Sequence, residues 1–295
     1  MSIALDELLS FLKFDQIEEN VFQGQTPIET RQRVFGGLVA AQALLSAGKT
    51  VDPSRTVHSL HAYFLVGGHP GEPITYEVEL VRDGGSFTTR RCVAKQHGTP
   101  IFVMTSSFQK SEAGFEHSTA MPKGIAEPES LPTWQERLAP IMNEIDEPTA
   151  KWLVQDRPID TRSETLPAWV DPTPREPNQD VWFRADGKLP DDPLLHACII
   201  VYASDLTLLD TAVLPHGNKV TKSRFMMASL DHAMWFHETC RADEWLLYHQ
   251  KSPNASHARA LAYGEIFTRD GKHVLTVMQE GLVRSFKDRS SKAKV

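Results

Sequence analysis

Two long apolar runs constrain this chain more than anything else in it: FGGLVAAQALLSAG at 35–48 and LLHACIIVYASDLTLL at 194–209. Both are apolar almost all the way round a helical wheel, so each reads as a helix meant for an interior rather than a surface. Each is followed by strand-like segments in the same order. The first half continues with TVHSLHAYFLVGG, EPITYEVELVRDGGSFTTRRCVAKQ and GTPIFVMTSSFQ. The second half answers with MMASLDHAMWFH, DEWLLYHQ, SHARALAYGEIFTRD and GKHVLTVMQEGLVRSF. A buried helix followed by about four antiparallel strands implies a sheet curled around that helix, and the chain says this twice.

Smaller correspondences follow the same repeat. The pair Tyr63-Phe64 parallels Trp235-Phe236, Ser86–Arg90 parallels Ser256–Arg259, and Gly98 and Gly271 each open a final hairpin. Ser106 then falls where Gln279 falls, and Asp205 where the first half has Gln42. Between the halves, ten of the 19 prolines lie between Lys110 and Asn178. That density interrupts helices and ladders, leaving a connector with one candidate helix, TWQERLAPIMNEI, packed on the surface. The expected class is α+β, a double hot-dog of two curved antiparallel sheets, each wrapped on a long buried helix. Its units are an N-terminal hot-dog at 1–110, a connector at 111–178 and a C-terminal hot-dog at 179–295.

Composition excludes several function classes. A formal net charge of −7 argues against nucleic acid as a partner. Cys92, Cys198 and Cys240 are odd in number and far apart, which fits reduced thiols in a cytoplasm and neither a disulfide framework nor a zinc site. The N-terminus lacks the basic start of a signal peptide, no segment reads as a membrane span, and the final Ala-Lys-Val is not a peroxisomal tripeptide. There is no Gly-x-Ser-x-Gly elbow and no His-Glu-x-x-His, so neither a serine hydrolase nor a zinc hydrolase is written here.

The polar residues set inside apolar runs carry the remaining signal. Asp205 interrupts ACIIVYASDLTLL, where a carboxylate is costly unless bonded; as a structural residue it, or Ser204, would cap a following turn. In SLDHAMWF, a regular strand would place Ser229 on one face with Asp231, Ala233 and Trp235, and His232 on the other. Gln279 sits in HVLTVMQEGLV, where it would at least satisfy a neighbouring backbone group. His232 reads as a buried imidazole bonded within its sheet, and His58 as the runner-up base.

The motifs RVFGGLVAAQAL, HSLHAYF, RDGGSFTTRR, PIFVMTSSFQ, GFEH, PDD, YASDLTLL, LDHAMWFH, EWLLY and VMQEG occur in this order. Taken together, they resemble the acyl-CoA thioesterase II family, which includes the bacterial TesB enzymes. The resemblance covers nearly the whole chain. It implies hydrolysis of acyl-CoA to a free carboxylic acid and CoA, with no cofactor, no metal and no covalent acyl-enzyme. The family's Asp, Thr and Gln, which hold a hydrolytic water, fall on Asp205, Ser229 and Gln279. Ser229 departs from the Thr pattern, keeping the hydroxyl and losing the methyl that restricts its rotamer. Leu38 also departs, since the family often has Gln after the Gly-Gly pair.

The implied chemistry is physically sensible. Asp205 would take the water's proton while Ser229 and Gln279 orient the water, and an apolar setting would raise the carboxylate's basicity. Gly36 and Gly37 are the candidate oxyanion donors at a helix start. Arg90, Arg91 and Arg259 are candidates for the CoA phosphates, with Lys219, Lys222 and Arg224 further cations ahead of Ser229. The expected partners are an acyl-CoA substrate and further copies of the chain, as a dimer or larger, with no nucleic acid and no membrane insertion. Two rivals remain: a hot-dog hydratase acting on enoyl-CoA, for which SDLTLLD offers no His, and a non-catalytic module that binds acyl-CoA.

Overall fold

The computed structural model describes residues 2–28, 33–139, 142, 154–168, 170–171, 173–219 and 225–285. The first half begins with helix α1 (Ile3–Phe11), capped by Ser2, and the hairpin β1 (Asp15–Glu18) and β2 (Val21–Gly24). Helix α2 (Gly36–Gly48) is followed by β3 (Arg55–Phe64), β4 (Ile74–Asp83), β5 (Phe87–Gln96) and β6 (Thr99–Lys110). The connector carries α3 (Trp134–Leu138) and β7 (Ile159–Arg162). The second half has β8 (Asn178–Ala185), α4 (Pro193–Ser204), a 3-10 segment (Leu209–Lys219), β9 (Phe225–Ser229) and β10 (Asp231–Phe236). It ends with β11 (Leu246–Ser256), β12 (Arg259–Thr268) and β13 (His273–Ser285).

Among the described residues all the strands join one antiparallel sheet of 13, in the order β1-β2-β4-β5-β6-β3-β10-β13-β12-β11-β8-β7, with β9 also on β13. The two expected sheets are thus continuous with each other, fused where β3 pairs with β10. Every residue of α2 from Gly37 to Ala47 is buried, and so is most of α4, as all-round apolarity demands. The two helices lie against each other in opposite directions. A Cβ built on Gly36 would touch Asp205, just past the end of α4, and one built on Gly48 would touch Leu194, at its start.

The antiparallel pairing of the helices corrects one correspondence drawn from the repeat. Asp205 is the C-cap of α4, whereas Gln42 lies in the middle of α2. Gln42 is wholly engaged: its amide nitrogen bonds the carbonyls of Phe11 and Gln25, and its oxygen takes the Tyr76 hydroxyl at 2.6 Å. Sheet register corrects a second. Arg90 pairs with Ser106 and Ala262 with Gln279, so if Ser106 matches Gln279, Arg90 matches Ala262 rather than Arg259.

In the connector, α3 opens on a capping box between Thr133 and Glu136. The helix described is only five residues long, and most of the candidate stretch from Pro140 on lies outside the described residues. Met121, Ile125 and Leu131 pack over Trp182, Trp245, Leu247 and Phe267, and the Trp182 indole donates to the Ala126 carbonyl at 2.9 Å. One expectation fails on length alone. The stretch Pro193–His216 is long and apolar enough to cross a membrane, with mean hydropathy 1.7 in its most apolar window. Of that window 67% is buried in the protein, which is where a core helix and its continuation belong.

Candidate active site

Asp205 sits at the junction of the two helices because α4 ends there, in a turn with φ −89° and ψ −1°. Opposite it, α2 starts without a cap of its own. Its N-cap residue is Phe35, which has no side-chain acceptor to offer the free N–H groups of the first turn. Asp205 supplies that acceptor from the other helix, receiving the N–H of Gly37. So the structural alternative, a cap on its own following turn, is replaced by a cap on a different helix. The two glycines permit the approach. A Cβ on Gly36 would lie 2.9 Å from Asp205 Oδ2 and 2.8 Å from Phe64, and one on Gly37 would lie 2.6 Å from the Tyr202 carbonyl oxygen.

Strands from the far side complete the cluster. Gln279 Nε2 donates to Asp205 Oδ1 at 2.5 Å and to Ser229 Oγ at 2.9 Å, and the Ser229 hydroxyl donates to the same Oδ1 at 3.2 Å. Three residues that are 24 and 50 positions apart in sequence, Asp205–Ser229 and Ser229–Gln279, thus share one hydrogen-bonded site. Gln279 is fully buried and its Oε1 has no partner among the described residues. A buried, unsatisfied acceptor beside a carboxylate suits an ordered water or a substrate donor.

Ser229 reaches this site through an irregularity that the alternation rule misses. Ser229 pairs with Gly281 on β13, but Ala233 pairs with Met278. Four steps along one strand therefore match three along the other, so the β9–β10 strand carries one extra residue at the break around Leu230. That residue moves Ser229 to the opposite face from Asp231, Ala233 and Trp235, correcting the expected grouping. Asp231 instead accepts the backbone N–H of Glu280 at 2.7 Å. His232 and Met234 point inward, at 1% and 0% exposure.

Burial pushes the Asp205 carboxyl up to about 6, against the opposing pull of hydrogen bonds from Gln279, Ser229 and Gly37. A second acid, Asp210, is pushed up to about 7 by burial and by the nearby charge of Asp205. It lines a small pocket, partly open to solvent, with Arg137, Thr161, Ser163, Gln179 and Thr207. Sequence reasoning passed over Asp210, although a second carboxylate five residues on in the same apolar run was the available signal.

The remaining candidates are scattered. His58 lies six residues from Phe64 on β3, about 20 Å along the strand. It is bonded to Ser107 Oγ at 2.7 Å, so the runner-up base is remote from Asp205. His232 binds Ser204 Oγ on α4 at 2.8 Å rather than a group in its own sheet, and burial lowers it to about 4, leaving it neutral. Arg90 is 2% exposed, with its guanidinium spent on Thr50, Asp83 and the carbonyls of Arg82 and Thr89. It stands by the C-terminal end of α2, about 18 Å of helix from Asp205, and holds the scaffold rather than a phosphate. Arg91 is exposed and paired with Glu79 at 3.3 Å. Arg259 is exposed, bonded to Glu280 at 2.9 Å and paired with Leu282, beside the residue that faces Ser229. The side chain of Lys219, and Lys222 and Arg224 entirely, lie outside the described residues. Among the described residues no group of three His, Cys, Asp or Glu could hold a metal.

Known proteins share both the sequence and this framework. Residues 26–109 match the acyl-CoA thioesterase N-terminal domain and residues 154–282 the acyl-CoA thioesterase family. Acyl-CoA thioesterase 2 of Haemophilus influenzae is 35% identical over 96% of this chain and 99% of its own length. Acyl-coenzyme A thioesterase 8 of Homo sapiens is 37% identical over 92% of this chain and 87% of its own. Among solved structures, the acyl-CoA thioesterase II TesB2 of Mycobacterium marinum has a TM-score of 0.77 at 43% identity, covering 94% of this chain and 98% of that one. A hot-dog protein from Alicyclobacillus acidocaldarius, with a TM-score of 0.74 at 17% identity, shares the fold.

Proposed function

This chain belongs to the acyl-CoA thioesterase II family and hydrolyses acyl-CoA, and on that premise we propose that Asp205, Ser229 and Gln279 hold and activate the attacking water. The observation that supports this reading is the mutual bonding of the three side chains around a desolvated carboxylate, with the Gln279 carbonyl oxygen left over. Asp205 takes a proton as the water oxygen attacks the thioester carbon. Ser229 and Gln279 fix the water's lone pair on the line of attack, which converts a bimolecular encounter into an oriented one. The tetrahedral intermediate then expels CoA as thiolate, which receives the proton held by Asp205. No acyl-enzyme forms and no cofactor is required.

The oxyanion assignment needs revision within this reading. Gly37 already gives its N–H to Asp205, so it holds the base. Gly36, at the first position of α2, is the donor left for the developing charge, aided by the positive end of the helix. For the CoA phosphates, the exposed candidates are Arg259, on the face of the sheet opposite Gln279, and Arg91, while Arg90 is excluded by burial. We also assign action to the cytoplasm, supported by three free thiols of which two are buried. Assembly into a dimer or larger is supported by the exposed apolar groups Tyr63, Leu65, Val66 and Met278. Light scattering on a sizing column tests it, and a monomer refutes it.

The decisive experiment is thiol release from a straight-chain acyl-CoA series, read with a thiol-reactive dye. Asp205→Asn is expected to lower kcat by about 10³-fold with the fold intact. Near-normal turnover by that variant removes the mechanism. Binding of acyl-CoA by the native chain without thiol release would instead favour the non-catalytic module.

A further inference from the structure

Two buried carboxamides grip the turn that follows Asp205. Gln250 on β11 is fully buried and lies directly opposite Gln179 on β8. Gln250 Nε2 donates to the Thr207 hydroxyl at 2.6 Å, while its Oε1 accepts from the Thr211 hydroxyl at 3.0 Å and from Gln179 Nε2 at 2.8 Å. Gln179 Nε2 also lies within bonding distance of the Thr207 carbonyl at 3.1 Å and of Thr211 Oγ1 at 3.0 Å. Thr207, two residues after Asp205, is therefore held through both its hydroxyl and its carbonyl. Thr211, wholly buried, is held at the start of the next segment.

This arrangement is costly as a way to gain stability. Two carboxamides and the Thr211 hydroxyl have been taken out of water, and apolar side chains of the same volume would fill the space without that penalty. What the network supplies is position. A turn just past a helix end has lost the helix's own hydrogen bonds, and without other anchors its side chains drift. Here the carboxylate must meet Gln279 Nε2 at 2.5 Å and the Gly37 amide together. On the strength of the water-activating reading above, we infer that Gln250, with Thr211 and Gln179, is a positioning residue for hydrolysis, holding the Asp205 turn in register with Ser229 and Gln279.

Two near-isosteric variants test this: Gln250→Met, which keeps volume and loses the bonds, and Thr211→Val, which keeps shape and loses the hydroxyl. Each is assayed by thiol release with the acyl-CoA that the native protein turns over fastest, well below the variant's own Tm. Loss of positioning predicts that kcat falls about 10-fold or more while KM stays within about 2-fold, and that Thr211→Ser restores kcat. Native kcat in both folded variants overturns the inference. So does a loss that Thr211→Ser fails to restore, or one shared equally by KM, since either reports general damage. If Gln250→Met does not fold, the Thr211 pair decides alone. Asp205→Asn run in parallel separates the two claims. If it is inactive while the Gln250 and Thr211 variants are normal, only the positioning role falls; if it is active, the underlying mechanism falls and takes this inference with it.

Discussion

The paired core helices end in two different ways, and the contrast explains where the chemistry is. At one end α4 begins with Pro193, which has no N–H, and Asp192 satisfies the N–H groups of Leu194 and Leu195 at 2.9 and 3.2 Å. Gly48 of α2 is packed there against the Leu194 side chain. That end is locally capped, oily and finished. At the other end α2 begins uncapped, Gly36 and Gly37 leave its first turn bare, and the acceptor is Asp205 from the neighbouring helix. Both ends put a carboxylate at a helix N-terminus. Only the second buries that carboxylate, raises its basicity and surrounds it with an alcohol and an amide. A cap drawn from the same helix is a structural device; one drawn from another helix into an unfinished junction can do chemistry.

Alanine at the two glycines sharpens this contrast most. Gly36→Ala should push Asp205 and Phe64 apart and lower kcat by about 100-fold, as expected when a catalytic group moves by roughly 1 Å. Gly48→Ala meets only the flexible end of Leu194, and better helix propensity offsets part of that contact. Its stability should stay within about 1 kcal/mol of native and its kcat should not change. Equal kcat losses at both positions would break the distinction between the ends.

The next effect is a pH dependence. Asp205 must be ionised to act, so kcat/KM should fall about tenfold per unit below pH about 6. Its carboxyl is raised on folding from 3.8 to about 6, so between those values the folded chain holds more protons than the unfolded one. Asp205 therefore favours folding most at acid pH, and this contribution is lost as pH rises through about 6, by at most ~3 kcal/mol. Asp210, raised to about 7 partly by the Asp205 charge, adds to the same slope. Tm measured against pH should fall less steeply from 4 to 7 in Asp205→Asn than in the native chain; parallel curves would show that Asp205 is not desolvated.

Smaller effects probe the quiet end and the approach to the site. Asp192→Ala should cost about 1 kcal/mol in denaturant unfolding and leave turnover intact, because it removes only a local cap. Arg259→Ala is expected to raise KM a few-fold, with the difference shrinking at high salt, whereas kcat stays put. A salt-insensitive KM would remove Arg259 from the CoA site.

Much of this was readable in the sequence, for reasons that differ by residue. The helices α2 and α4 were legible because all-round apolarity over a dozen residues suits a buried helix and little else. Asp205 stood out as a charge in oil, yet its residue-level reading was a cap, and only the family resemblance joined it to Ser229 and Gln279. Ser229 was placed on the wrong face because one extra residue near Leu230 inverts the alternation, and nothing in SLDHAMWF announces a bulge. Arg90 looked like a phosphate ligand because a sequence shows charge and not direction, while its guanidinium turns inward to Thr50 and Asp83. The grip of Gln179 and Gln250 on Thr207 and Thr211 was invisible, since it joins residues up to 71 positions apart.

What the chain determined by itself is local and periodic: two buried helices, the strands that follow each, the turns between them and a thioesterase family. Those depend on neighbours within a few residues, where hydrophobic period and backbone preference act directly. The tertiary structure decided which helix end is left uncapped, which face Ser229 takes and which charges face water. These follow from antiparallel helix packing and from register across a sheet, where a shift of one residue reverses every side chain and no local rule can count it.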